Sequence, residues 1–141
     1  MSGEENKALI RRGFEEFVNR KNLAPVDELI APNFVGYYSG VPEPVRGRDG
    51  FKQLLSMYHS AFPDLKVRIE DIVAEGDKVA VRLTFRGTHQ GELMGIPPTG
   101  KSIALTSINI FRVEGGKAVE QRVNTDDLGM LQQLGVMTPP G

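Results

Sequence analysis

The chain has 141 residues, 40% of them hydrophobic and 25% charged, and we expect residues 1–141 to form a single globular domain. Lys and Arg number 17 against 18 Asp and Glu, a net charge of -1, so there is no basic footprint for nucleic acid or an anionic membrane surface. With no cysteine and only His59 and His89 as imidazoles, disulfides, thiolate metal sites and a cysteine nucleophile are excluded, and an imidazole-rich metal site is not expected.

The first segment, Glu4 to Asn19, places Leu9, Ile10, Phe14, Phe17 and Val18 at helical spacing among charges and predicts an amphipathic helix. It holds no apolar stretch of the signal-peptide kind, and no run of about eighteen apolar residues follows it. A cytoplasmic location is the expectation. Pro25 suits the first turn of a short helix to Ile30, which Pro32 forbids from continuing. Phe34 to Tyr38 reads as a strand. SGVPEPVRGR is an irregular loop, after which Asp49 is placed to cap a helix with the face Phe51, Leu54, Leu55, Tyr58 and Phe62, stopped by Pro63.

From Leu65 the period changes to two. Leu65, Val67 and Ile69 alternate with charges, EGDK makes a hairpin turn, and Val79, Val81, Leu83 and Phe85 form the next strand. Gly87 is a candidate bulge. GELMGIPPTGK is a long loop without the spacing of a phosphate-binding loop. Ser102 to Val113 and Ala118 to Asp126 are two further strands joined by EGGK. Helices followed by hairpin-linked strands define an α+β fold whose antiparallel sheet buries one face against the helices and, if curled, encloses a pocket.

Several motifs, AFPDL (Ala61 to Leu65), VAEGDKVAVR (Val73 to Arg82), RGTHQGELMGIPPTGK (Arg86 to Lys101), GGKAVEQ (Gly115 to Gln121) and DDLGMLQQLG (Asp126 to Gly135), come in one order across most of the chain. In this they resemble the SnoaL-like polyketide cyclases, also called ester cyclases, of the nuclear transport factor 2 superfamily of cone-shaped folds. The resemblance implies a cofactor-independent, aldol-type ring closure of a polyketide ester, a small apolar or polycyclic ligand, and a homodimer paired through the sheet. It also implies an acid/base aspartate at the end of the last strand, which Asp126 matches. Members often carry a tryptophan where this chain has Arg122 and another bulky residue at Thr125, departures that reshape the pocket.

In an extended last strand Glu120, Arg122, Asn124 and Asp126 share one face, and Val119, Gln121, Val123 and Thr125 the other. Alternation alone leaves it open that the polar row simply faces water. The family resemblance favours the cup, for Asp126 more than for Glu120, with Asp126 as base and Asp127 as cap of the following helix; the reverse, Asp126 as cap and Asp127 as a surface charge, stays open. Tyr37, Arg82, Asn109, Arg122 and Asn124 are the candidate pocket residues. For Arg82 and Asn109 a solvent-facing strand position is an equal alternative. His89 is expected to make a structural hydrogen bond and His59 to face water, while Met94 and Ile96 would either close over a ligand or plug the core. Two other functions remain: an epoxide hydrolase or isomerase, in which Asp126 works with Arg82 or Arg122 and with Glu120 as second carboxylate, and a non-catalytic module binding a small apolar ligand. The apolar pair Val119 and Val123 is the reason, beyond the resemblance, to expect a dimer through the sheet.

Overall fold

The computed structural model describes residues 2–137. Ser2 opens α1 (Gly3–Phe14) through a capping box: its hydroxyl accepts from Glu5 N–H at 3.1 Å while Glu5 reaches back to the Ser2 amide. The helix runs directly into a π-helical turn, Glu15–Asn19, which tucks both Phe17 and Val18 inside. Asn19 then caps the sheet edge, its amide pairing with both Val67 N and Val67 O at 2.7 and 3.1 Å. A single turn, α2 (Val26–Leu29), leads straight into β1 (Ile30–Tyr38).

The irregular loop contains a two-residue strand, β2 (Val45–Arg46), paired antiparallel to β1. In helix α3 (Gly47–Ala61) the N-cap position falls to Arg46, which makes no side-chain cap bond, and Asp49 lies in the first turn, where its charge still favours the helix dipole. Four long strands follow: β3 (Lys66–Glu75), β4 (Lys78–Thr88), β5 (Ser102–Glu114) and β6 (Lys117–Thr125), then α4 (Asp127–Gln133).

The sheet is mixed, not antiparallel as expected. Its order is β2-β1-β6-β5-β4-β3, and β6 lies parallel to β1 while every other pair is antiparallel. Strand β1 enters from a helix and not from a hairpin, so its direction was free of the turn chemistry that fixes the other four. Register shifts between Ile69 and Asp71 and between Arg112 and Val113 mark bulges that, with the natural twist, curl the sheet into a cup. Gly87 is no bulge: it pairs in register with Ile103, and its missing side chain admits Phe62, whose Cβ stands 3.2 Å from where a Cβ would be.

Helix α1 covers the β3 and β4 side of the cup and α3 the β1 and β2 side. Phe51 clamps the layers edge-on between Phe17 and Phe34, with ring centroids at 5.4 and 5.3 Å. No helix among the described residues is long and apolar enough to cross a membrane.

Candidate active site

Between the concave face and the helices lies a cavity of about 380 Å³. Six of the chain's 7 phenylalanines line it, namely Phe14, Phe17, Phe51, Phe62, Phe85 and Phe111. Flat hydrocarbon walls of this kind accept a conjugated or polycyclic molecule and offer nothing to a strongly hydrated one.

On β5 the alternation is strict: Ile103, Leu105, Ser107, Asn109, Phe111 and Val113 are buried, and the residues between them face out. Ser107 and Asn109 are therefore carried inside by the apolar ends of their own strand. On β6 the row that faces the cup is Gln121, Val123 and Thr125, the opposite of the expected one. The bulge opposite Arg112 and Val113 sets this phase, with Ala118 lining the cavity, Val119 buried as the extra residue, and Glu120 turned outward to pair with Arg112 and Arg122.

Five polar side chains join hands along this wall. Tyr38 donates its hydroxyl to Gln121 Oε1 at 2.6 Å, Gln121 Nε2 donates to Asn109 Oδ1 at 2.9 Å, and Asn109 Nδ2 donates to Ser107 Oγ at 2.9 Å. Ser107 and Thr125 share a hydrogen bond of 3.1 Å, and the Thr125 amide returns to Ser39 Oγ at 2.9 Å. Tyr38 reaches Gln121 because its ring folds back over Gly36; a Cβ at Gly36 would stand 2.5 to 2.7 Å from that ring.

The strand ends at Thr125, and the alternation ends with it. Asp126 adopts φ -72°, ψ 72° and accepts from Gly129 N–H at 2.9 Å, so it is the exposed N-cap of α4 and does not line the cavity. Asp127 is half-buried and, among the described residues, is the one carboxylate in the cavity lining. Its oxygens lie 3.5 and 3.6 Å from where a Cβ at Gly40 would be, and Gly40 holds φ +80°, a conformation only glycine adopts freely. The expected order of cap and cavity carboxylate is reversed.

Burial pushes the Tyr38 phenol well above its ordinary value, with Tyr58 adding to the shift. Burial raises Tyr58 as well, and the negative charge of Asp127 adds to it. Both phenols are thus neutral donors at any working pH. A raised folded-state pKa means that their contribution to stability is complete below the ordinary tyrosine value of 10.0 and is lost as pH rises beyond it. A phenolate absorbance titration is expected to show Tyr38 and Tyr58 ionising above the ordinary tyrosine value, and ionisation of either at or below that value would contradict this burial.

The other expected pocket residues are elsewhere. Arg82 pairs with Asp71 at 2.6 Å on the convex face. Arg122 lies 4.2 Å from the centre of the exposed Tyr37 ring, and with Asn124 these line a shallow outer groove beside Pro42 and Pro44. Of that set only Asn109 enters the cavity. The carboxylate and arginine network of the epoxide hydrolase alternative is not assembled there. Gln121, Ser107 and Asp127, to which the sequence reading assigned no role in the cup, are present, together with Thr125, which only the family resemblance had tied to the pocket; the apolar ends of β5 carried the signal for Ser107.

The loop after β4 completes the enclosure. His89 is fully buried, and its Nδ1 accepts from the Thr99 amide at 3.2 Å, the structural bond expected of it. Gly91 docks so tightly on α3 that a Cβ would fall 2.1 Å from Ser60 O. Leu93 and Ile96 bridge a tight turn in which Met94, at φ 45°, and Gly95, at φ 85°, are both left-handed. Met94 accepts that strain while its half-exposed side chain lines the cavity, so it serves as part of the cover. His59 does not face water freely: Nε2–H donates to Phe17 O, within the π-helical turn, at 2.8 Å. Among the described residues no group of three or more His, Cys, Asp or Glu is placed to hold a metal ion.

A cone-shaped α+β cup of the nuclear transport factor 2 type, lined with aromatics and carrying one carboxylate and a polar rail, is the architecture of a small-molecule enzyme. The chain belongs to the SnoaL-like polyketide cyclase family, whose model matches residues 8–134. It is 31% identical over 135 residues to aklanonic acid methyl ester cyclase DauD of Streptomyces sp. (strain C5), covering 93% of this chain and 82% of that one. Nogalonic acid methyl ester cyclase of Streptomyces nogalater is 30% identical over 112 residues, 78% of this chain and 83% of the other. Among solved structures, wild-type IdmH of Streptomyces antibioticus superposes with a TM-score of 0.81 at 37% identity, covering 92% and 98% of the two chains.

Proposed function

We propose that the protein closes a ring within a polyketide ester, in the manner named for its Streptomyces relatives, with Asp127 as acid/base. One observation carries the assignment: among the described residues Asp127 is the sole carboxylate lining a cavity that is otherwise almost entirely hydrocarbon and neutral amide or hydroxyl. Its carboxylate takes a proton from a carbon activated by neighbouring carbonyls, and the C–H electron pair becomes the enolate. The enolate carbon attacks a second carbonyl of the same molecule, forming the C–C bond, and the resulting alkoxide recovers the proton from Asp127. Atoms balance without any co-reactant. The aromatic walls contribute by holding the flexible chain folded, so that the two carbons meet as if at very high concentration. The cytoplasmic setting expected from the sequence belongs to this reading.

Incubation with aklanonic acid methyl ester, followed by chromatography and mass spectrometry, tests it. A new isomer of unchanged mass is expected; recovery of the ester alone, across a panel of related polyketide esters, would leave a ligand-binding role instead.

Pairing through the sheet is part of the same proposal, on different residues from those first considered. Val119 is buried and Val123 faces the cavity, so neither is available. The convex face instead exposes Val73, Ile108 and Ile110 at 63%, 54% and 44%, an apolar strip flanked by Arg82 and Arg122. Ile108→Glu with Ile110→Glu is expected to give a folded monomer by sedimentation equilibrium; an unchanged dimer, or a monomeric wild type, would rule this surface out.

A further inference from the structure

An enolate made inside this cavity carries a charge that the hydrocarbon walls do nothing to hold. Two amides on the polar rail are placed to do so. Gln121 and Asn109 are 6% and 2% exposed and both line the cavity. A primary amide has two N–H donors. Gln121 gives one to Asn109 Oδ1 and Asn109 gives one to Ser107 Oγ, so each keeps a second that goes to no group among the described residues. The count survives reversal of the rail: with both amides turned over, Gln121 donates to Tyr38 and Asn109 to Gln121, and one N–H on each is again unspent. A buried donor without an acceptor is costly, so two side by side in an apolar cavity call for an oxygen from outside the protein.

We propose that these two spare N–H groups form an enolate-oxygen site. They bind the oxygen of an enolisable conjugated ketone and hold its charge once Asp127 has taken the carbon proton. Donors fixed before the reaction, in a site of low dielectric, stabilise developing charge without having to reorganise. Tyr38 and Ser107 do not touch the ligand in this arrangement; they are positioning residues that fix the planes of the two amides. The ligand class follows from the donors: a ketone or phenolate oxygen is accepted, whereas an ammonium or a hydroxyl offering only its proton is not.

This inference rests on Asp127 as the base, and its test separates the two. The Asp127→Asn protein carries the neutral side chain that the base presents after proton abstraction, and a hydroxyanthraquinone dye supplies an oxygen whose ionisation is visible by colour. The bound dye is expected to ionise at least about one pH unit lower in Asp127→Asn than in Asp127→Asn with Gln121→Met or Asn109→Leu, a tenfold change in its ionisation constant. In labelled Asp127→Asn protein, one side-chain amide proton of Gln121 and one of Asn109 should shift downfield when the dye binds, a readout that needs no rail variant to fold. Equal ionisation in all three proteins, unmoved amide protons, or a dye that fails to bind would overturn the proposal. Turnover by Asp127→Asn is a separate measurement: full activity would remove Asp127 as base and leave the dye result standing on its own.

Discussion

Asp127→Asn is expected to lower turnover by about two to four orders of magnitude, the range by which a positioned general acid/base contributes, with little effect on stability. The substitution keeps the shape of the side chain over Gly40 and removes its capacity to take a proton. Asp126→Asn is the informative partner. Asparagine caps a helix about as well as aspartate, so α4 remains in place and turnover stays near that of the wild type. Asp126→Ala, by contrast, removes the acceptor for Gly129 N–H and costs about 0.5–2 kcal/mol. Because α4 carries Asp127, some loss of activity accompanies that variant through position alone. Steady-state kinetics on the two asparagine variants decides the matter, and a dead Asp126→Asn beside an active Asp127→Asn would restore the order first expected from the sequence.

The second large effect is expected at a residue with no chemistry of its own. Gly36→Ala places a methyl group 2.5 to 2.7 Å from the Tyr38 ring, well inside contact distance. The ring is the movable partner, so it swings away and its hydroxyl leaves Gln121. Overpacking and the broken hydrogen bond together cost about 1–3 kcal/mol. Loss of the rail's anchor lowers kcat by about tenfold to a hundredfold, since the amides it orients are no longer fixed. Tyr38→Phe isolates the hydroxyl, while Tyr38→Ala removes the obstacle. Gly36→Ala should therefore cost little stability in the Tyr38→Ala background, and a full, additive penalty there would show that the glycine serves something else.

The elements were legible because their periods are clean. The apolar face of α1, the alternation of β3 to β5 and the two short turns EGDK and EGGK each rest on local chemistry. The partner of β1 was not legible, since nothing local specifies a strand pairing across some eighty residues. The site was half legible for the same kind of reason. Asn109 lies between Ile108 and Ile110 and reads as a polar exception on its own, yet Ile103, Leu105 and Phe111 fix the phase of the whole strand and carry it inward. On β6 alternation grouped Gln121, Val123 and Thr125 correctly on one face and Glu120, Arg122 and Asn124 on the other, but alternation alone does not say which face turns inward, and the polar row was the one given to the cup. The assignment of the two aspartates failed at the strand end, where backbone geometry replaces alternation. Asp126 takes the cap position one residue early, and Asp127 is delivered to the cavity by the first turn of α4.

The parallel pairing of β1 with β6 has a consequence for the order of events during synthesis. Tyr38 is laid down long before its partner Gln121 and the carboxylate of Asp127, with 83 positions of chain separating the two ends of the Tyr38–Gln121 bond. Contacts so distant in sequence form slowly, because a long stretch of chain must be closed before they return anything. The helices and the β3 to β5 meander can collapse beforehand, but that intermediate is a cup with a missing stave between β1 and β5. Such a gap exposes two unpaired strand edges, and it makes β6 both the seam of the sheet and the step most exposed to mispairing.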